Sequence, residues 1–295
     1  MRYILLLSII GFFYSCDFSQ SKSSQGRSNA EGDSIVDLEK IKMLKLANIS
    51  DYHKTLDKLD KGDLASVDAA ITLFKNSTID SLSRDSMFVV FNDFFNGVAG
   101  NYLENNENVS SQLENSPSKE AIDKLRSTLN SYGINLNSSE GTYFLETQTE
   151  YLLQNFGSGL SPAYREYLTI QSKEQKARFA EDGTILIPID SLTSRIVSWE
   201  TFMEKYPDFI AIKMAQDQYA QYIGAYLSGM DNSRIFDPAT NRLNDNSKAS
   251  FEAFVQNNPG LKSTEVVKAY LDLLQTTNFN YTDKVDSFLL DKVYH

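Results

Sequence analysis

The fold is decided by two similar stretches, WETFMEKYPDF at residues 199–209 and FEAFVQNNPGL at residues 251–261. Aromatic and apolar side chains recur at helical spacing before each proline, and the matched positions lie 52 residues apart, from 199 to 251 onward. The residue before a proline disfavours α-helical geometry, so a helix ends there and a second amphipathic helix follows. The pattern therefore predicts two helix–proline–helix pairs between residues 190 and 275.

This arrangement resembles the tetratricopeptide-type helical repeats. The resemblance rests on an aromatic-rich helix that ends at Tyr206-Pro207 or Asn258-Pro259 and on the Ala- and Tyr-bearing helix that follows. The period of 52 residues exceeds the roughly 34 of that family because residues 228–246 insert a long loop. The resemblance implies stacked antiparallel helices whose concave face holds a peptide or a partner protein.

The rest of the chain has the same helical periodicity. We therefore predict an all-α fold of stacked antiparallel helical hairpins, forming an α-α superhelix or an irregular helical array. Helices are expected over residues 35–48, 50–61, 63–74, 85–104, 119–132, 140–156, 162–181 and 282–293. An aromatic stripe in the fourth of these helices is expected to face the core. Residues 184–189 are β-like but contain Pro188 and have no evident partner strand, so an extended connector is predicted there.

The N-terminal residues resemble an export signal. Arg2 precedes an apolar stretch from Tyr3 to Tyr14, which is too short to span a bilayer as a permanent helix. Cys16, the only cysteine of the chain, follows two residues later, and FYSC at residues 13–16 resembles the lipobox of bacterial lipoproteins. This resemblance implies that a signal peptide, residues 1–15, is removed and that Cys16 carries fatty acids such as palmitate. The alternative is a plain signal peptide that leaves Cys16 without a role.

The residues after Cys16 are predominantly polar. Between Asp17 and Ser34, Phe18 is the only bulky apolar side chain, a composition that does not offset the entropy of ordering. We therefore predict a disordered tether over residues 16–34. An N-terminal helical part, residues 35–118, and a C-terminal repeat-like part, residues 119–295, would follow as two domains or as one continuous domain. The segment rich in Asn and Ser at residues 105–118 is the predicted linker between them.

Composition limits the partners that the chain can bind. A hydrophobic content of 41%, with 18 Phe and 16 Tyr, supports a substantial core. The net charge of −11 repels phosphate backbones and argues against a nucleic-acid partner. It also argues against docking on an anionic membrane through overall charge alone.

Catalytic groups are scarce in the sequence. The two histidines, His53 and His295, lack a nearby HxxxH or HxH partner, so neither a metal site nor another cofactor is expected. Four glutamates on predicted neighbouring helices form the candidate set for acid–base chemistry: Glu140, Glu146, Glu150 and Glu166. Two of them facing one cleft would resemble a glycosidase pair. Helix-dipole effects and Arg–Glu pairs between helices explain the same residues more simply.

These observations predict a lipoprotein anchored to a bacterial membrane in the cell envelope, acting as a binding or assembly module and not as an enzyme. The alternative is an envelope glycan hydrolase that uses paired carboxylates. Besides the membrane, the expected partner is an envelope protein or peptide. Tyr222 and Tyr226 share a helix face, with Gln218 alongside, and would anchor such a partner if exposed. Otherwise both rings pack against the following helix pair.

Overall fold

The computed structural model describes residues 38–104, 118–139 and 142–293. The predicted signal peptide, Cys16 and tether lie outside the described residues, as do residues 105–117 of the predicted linker. Helices dominate the described chain, as the sequence predicts, and they form two compact units. The first unit ends at Leu168 and the second begins at Thr169. No helix of the described ranges is both long and apolar enough to cross a bilayer.

The first unit combines helices with one β-hairpin. Its helices are α1 (Leu38–Lys42), α2 (Ile49–Leu56), α3 (Ala65–Asn76), α4 (Ser81–Glu104), α5 (Lys119–Ser131), α6 (Thr149–Phe156) and the N-terminal half of α7 (Pro162–Gln175). Strands β1 (Ile134–Ser139) and β2 (Thr142–Thr147) pair antiparallel between α5 and α6. The predicted aromatic stripe of α4 is confirmed, because Phe88, Phe91 and Phe95 are buried.

The second unit consists of helix pairs and two very short hairpins. After the end of α7 come α8 (Ile189–Lys205), α9 (Ile212–Ser228), α10 (Asp245–Asn257), α11 (Lys262–Thr276) and α12 (Asp283–Lys292). The hairpins are β3 (Ala180–Glu181) with β4 (Thr184–Ile185), and β5 (Gly229–Met230) with β6 (Ser233–Arg234). Helix α8 packs against α9, and α10 packs against α11.

Both long helices that precede a proline end in the same way. Tyr206 has φ −131° and ψ 63°, and Asn258, at the matched position, has φ −124° and ψ 54°. Each donates its backbone N–H to the carbonyl four residues earlier, at 2.9 Å for Tyr206 and 3.1 Å for Asn258. These dihedral angles lie outside the α region, as expected for a residue that precedes proline. Helix–proline–helix connections therefore occur at both predicted positions.

The helix predicted over residues 140–156 is wrong in its first half. Residues 134–139 and 142–147 pair as strands β1 and β2, and α6 begins only at Thr149. Ile134 and Leu136 are buried while the asparagines beside them are partly exposed, an alternation with the period of a strand. Ser139, a residue type that often caps helices, pairs with Thr142 in the neighbouring strand instead.

The extended connector predicted for residues 184–189 does have a partner strand at its start. Strand β4 pairs with β3 across the turn Asp182-Gly183. Both turn residues have positive φ, 46° and 67°, which matches the two-residue turns that twisted hairpins favour. Three helices also end earlier than predicted, at Lys42, Leu56 and Gln175.

The division into two compact units falls within α7, after Leu168. Helices α5 and α6 and the N-terminal half of α7 belong with the first unit. The reason lies in Phe156 at the end of α6, whose ring packs among aromatic rings of α3 and α4: Phe74, Phe88 and Phe91. The linker predicted for residues 105–118 stays a prediction, because residues 105–117 lie outside the described residues.

Candidate functional site

Tyr222 and Tyr226, which would anchor a partner only if exposed, are buried. Tyr222 is 3% exposed and Tyr226 is 1% exposed. The ring of Tyr226 lies 4.9 Å from that of Phe251 in α10, so the alternative in which the ring packs against the following helix pair describes it. Tyr222 packs instead against Phe179, with ring centroids 5.0 Å apart. Gln218 is partly exposed and donates its side-chain amide to Gln221 at 2.9 Å. The condition for the binding role of the two tyrosines, exposure of their rings, is therefore not met.

The glutamates considered for acid–base chemistry lie in different kinds of structure. Glu140 is outside the described residues. Glu146 lies in a strand and not on a helix, and it accepts a hydrogen bond from the Asn137 side chain at 2.8 Å. Glu150 is exposed in the first turn of α6, and Glu166 is partly exposed in α7. The predicted pairing required glutamates on neighbouring helices, and Glu146 does not meet this requirement because it lies in strand β2.

The described histidine is a surface residue. The His53 side chain is 58% exposed, and its Nδ1 lies 3.1 Å from a carboxylate oxygen of Asp57, one helical turn later. His295 lies outside the described residues. Among residues 38–104, 118–139 and 142–293, no group of three or more His, Cys, Asp or Glu side chains is arranged to hold a metal ion.

The most elaborate polar site lies in the second unit and centres on Glu174, in the last turn of α7. Trp199 of α8 donates its indole N–H to Glu174 Oε1 at 3.0 Å. Tyr222 of α9 donates its hydroxyl to Glu174 Oε2 at 2.8 Å. Both carboxylate oxygens are therefore engaged by donors from aromatic side chains, and the site joins three helices.

Arg195 of α8 completes this site, which we call the Glu174 cluster: Glu174, Arg195, Trp199 and Tyr222. Arg195 is only 8% exposed, and its guanidinium donates to the Tyr222 hydroxyl at 3.0 Å. It also donates to the backbone carbonyls of Glu174, at 3.2 Å, and of Ala177. A cation at the C-terminus of a helix stabilises the negative end of the helix dipole. Arg195 therefore fixes both the tyrosine and the end of α7.

The cluster contains a carboxyl group whose pKa lies near neutral pH. Burial raises the pKa of Glu174 to about 7, although hydrogen bonds from Tyr222 and Trp199 and the charge of Arg195 act in the opposite direction. Burial of the phenol, followed by the charge of Glu174, raises the pKa of Tyr222 well above its ordinary value. Tyr222 therefore stays protonated and continues to donate. The cluster is therefore suited to join the three helices through hydrogen bonds and to bind and release one proton at Glu174.

A second buried carboxylate, Glu200, links the two helix pairs of the second unit. It projects from α8 and accepts the backbone N–H groups of Lys262 and Ser263, in the first turn of α11. Leu261, at the N-cap of α11, provides no side-chain acceptor. Helix N-termini carry unsatisfied N–H groups and a positive dipole end, so a carboxylate from another helix replaces the missing cap.

Sequence reasoning missed both carboxylates, although signals for them exist. The inward face of α8 contains Leu192, Ile196 and Trp199 at helical spacing, and Arg195 occupies a position on that same face. A charged residue within an apolar stripe indicates a buried partner. For Glu200 the signal is Leu261, because a helix that starts without Ser, Thr, Asp or Asn requires another acceptor.

The fold and its sites define a predominantly helical protein with a buried Glu174 cluster and a helix cap supplied from a neighbouring helix. Comparison of the chain with protein-family models found no match. Comparisons with curated proteins and with solved structures also found no match.

The raised pKa of Glu174 has a measurable consequence for stability. The folded state binds the proton on Glu174 more tightly than the unfolded state does. The stabilisation of the folded state by this protonation is therefore complete below a pH of about 4.5 and is lost as the pH rises through about 7. We expect the free energy of unfolding to fall by about 2 kcal/mol over that window, after allowance for partial solvent exposure. Urea denaturation of the wild type at several pH values measures the fall.

The variant Glu174→Gln should abolish most of this pH dependence, because a glutamine keeps one acceptor for Trp199 and does not titrate. Glu204→Gln removes an exposed carboxyl group from α8 and is the matched control. Equal slopes in the wild type and in Glu174→Gln would contradict a proton-binding role for the cluster.

Proposed function

We propose that this protein is a lipid-anchored component of a bacterial cell envelope whose helical domain binds or assembles with another envelope protein or peptide. One observation carries the proposal: Cys16, the single cysteine of the chain, lies two residues after the end of an apolar stretch that Arg2 precedes. A cysteine at that position suits acylation after removal of a signal peptide, and two acyl chains provide a lasting anchor where one does not.

The two buried carboxyl groups are engaged in contacts within the fold. General acid–base chemistry needs a carboxyl group with access to a substrate proton. Glu174 instead has both oxygens occupied by Trp199 and Tyr222, and Glu200 is occupied by backbone N–H groups of α11. These contacts stabilise the fold, so the glycan-hydrolase alternative gains no support from either residue.

The paired helices of the second unit support a binding role. Stacked helix pairs offer extended surfaces that helical-repeat proteins use to hold partners. Because Tyr222 and Tyr226 are buried, contacts with a partner must come from other side chains. Large apolar side chains of this unit that remain at least 42% exposed are the available candidates: Leu186, Ile189, Ile210 and Leu290.

The anchor is tested by Cys16→Ser expressed in a bacterium that processes lipoproteins. We expect the variant to move from the detergent-extracted membrane fraction to the soluble fraction, because its attachment site is gone, while its circular dichroism spectrum is unchanged. Ser19→Ala, three residues further on, is the matched control and should remain with the membrane. Membrane partitioning of Cys16→Ser equal to that of the wild type would refute the anchor.

A further inference from the structure

A short segment at the start of the first unit combines exposed apolar side chains with positive charge. Residues 38–45 read LEKIKMLK, with three lysines and one glutamate in a chain whose net charge is −11. Met43 is 77% exposed and Leu44 is 43% exposed, and Lys45 beside them is exposed as well. Bulky apolar residues next to lysines are typical of surfaces that enter the interface of an anionic bilayer.

The backbone of this segment is held in place and is not a loose end. Lys42 accepts a hydrogen bond at its carbonyl from the Asn76 side chain at 2.9 Å, and Leu46 accepts one from the Thr78 backbone at 3.3 Å. Leu46 itself is 7% exposed, within the core. The chain is therefore hydrogen-bonded on both sides of Met43 and Leu44 to residues at and just after the end of α3. These bonds hold the backbone so that the two side chains stay exposed.

Two acidic residues lower the positive charge around Lys42, but the segment as a whole stays positively charged. Glu39 pairs with the Lys42 ammonium at 3.0 Å, and Asp68 of α3 acts on the same lysine. Lys45 lies three residues further on, directly beside the exposed Leu44. A local contact is needed in any case, because the overall charge of the chain opposes anionic surfaces.

The position of the segment in the chain indicates what covers it. Only 21 residues separate Cys16 from Leu38, where α1 begins. A flexible chain of that length spans about 25 Å on average and about 70 Å at full extension. An acyl anchor on Cys16 would thus keep residues 40–45 close to a bilayer at high effective concentration.

We propose that residues 40–45, which we call the basic-apolar segment, contact the anionic face of the bilayer that carries the Cys16 anchor. The contact rests on the proposed lipid anchor and adds to it. The acyl chains retain the protein, while Met43 and Leu44 insert among the head groups and the lysines meet anionic lipid. The first unit is then held against the membrane instead of moving freely on its tether.

The full-length protein, purified from membranes, is reconstituted in two kinds of vesicle, phosphatidylcholine alone or with about 30% phosphatidylglycerol. Hydrogen–deuterium exchange is followed in the peptide that covers residues 38–46. We expect exchange there to be about fivefold or more slower on the anionic vesicles, and the protection to disappear at about 0.5 M salt. A peptide covering residues 283–292, where Leu290 is 57% exposed, should show no such difference.

Variants assign the protection to the segment. Met43→Ser/Leu44→Ser should lose it, and Lys40→Gln/Lys45→Gln should lose most of it, since each lysine near the surface contributes roughly fivefold in partitioning. Ile210→Ser/Leu290→Ser removes exposed apolar side chains of the second unit and should keep full protection. All variants should melt at the wild-type temperature, because the changed side chains are exposed.

Equal exchange on both kinds of vesicle would overturn the proposal, whether the segment stays open or is covered by a second copy of the chain or another protein. The mass of the N-terminal peptide reports acylation separately. An acylated protein without protection refutes the membrane contact alone. A protein without acyl chains that is still protected on added anionic vesicles refutes the anchor alone and supports the contact.

Discussion

Phe156→Ala should lower the free energy of unfolding by about 4 kcal/mol, the typical cost of removing a fully buried aromatic ring. Phe156 is 0% exposed, and its ring centroid lies 4.4 to 4.9 Å from those of three other rings: Phe74, Phe88 and Phe91. The substitution deletes the ring that joins α6 to α3 and α4, and it leaves a cavity that these rigid neighbours fill poorly.

Thermal and urea denaturation followed by circular dichroism measure this effect. Phe156→Leu, which keeps most of the volume, should cost much less than the alanine variant. Leu82→Ala truncates a residue of α4 that is 73% exposed and should change stability by no more than about 0.5 kcal/mol. A loss below about 1 kcal/mol for Phe156→Ala would show that α6 does not belong to this core.

Glu200→Ala is the second large effect that we expect, at about 3 kcal/mol. The substitution leaves the buried N–H group of Ser263 and the N–H group of Lys262 without their acceptor, and it removes a negative charge from the N-terminus of α11. Glu200 is 3% exposed, so water does not readily replace the carboxylate.

The sequence offers a matched control for this substitution. Glu252 occupies the corresponding position of the second helix pair, 52 residues later, but it is exposed and lies 3.9 Å from Lys248. Exposed ion pairs contribute little, so Glu252→Ala should change the free energy of unfolding by less than about 0.5 kcal/mol. Urea denaturation of the two alanine variants measures the difference. Equal losses at both positions would mean that Glu200 does not act as the cap of α11.

The sequence predicted the helices well where local signals were strong. Ser161-Pro162 gives both an N-cap and a proline at the first helical position, and the Ser161 hydroxyl accepts the Tyr164 N–H at 3.2 Å in the structure. Gly133 is a residue type that commonly follows the end of a helix, and its φ of +76° is one that glycine adopts at little cost. In both cases the deciding contacts lie within a few residues of each other.

Where the structure depends on distant contacts, local reasoning was wrong or incomplete. Ser139 satisfies the pattern of a helix cap, yet the pairing of residues 134–139 with residues 142–147 determines its conformation. Tyr222 has the spacing of an exposed aromatic pair, but its hydroxyl is bound to Glu174, 48 residues earlier in the chain. Helical periodicity identifies which residues share a face, but it does not tell which of two faces meets a neighbouring helix.

The mass of the N-terminal peptide, measured on protein purified from bacterial membranes, tests the central claim most directly. A lipid-anchored envelope protein should give a peptide that begins at Cys16 and carries the added mass of a diacylglyceryl group on sulfur, because acylated cysteines of lipoproteins become the new N-terminus. A peptide in which Cys16 keeps a free thiol, whether residues 1–15 are present or removed, would contradict the anchor and the envelope function proposed with it.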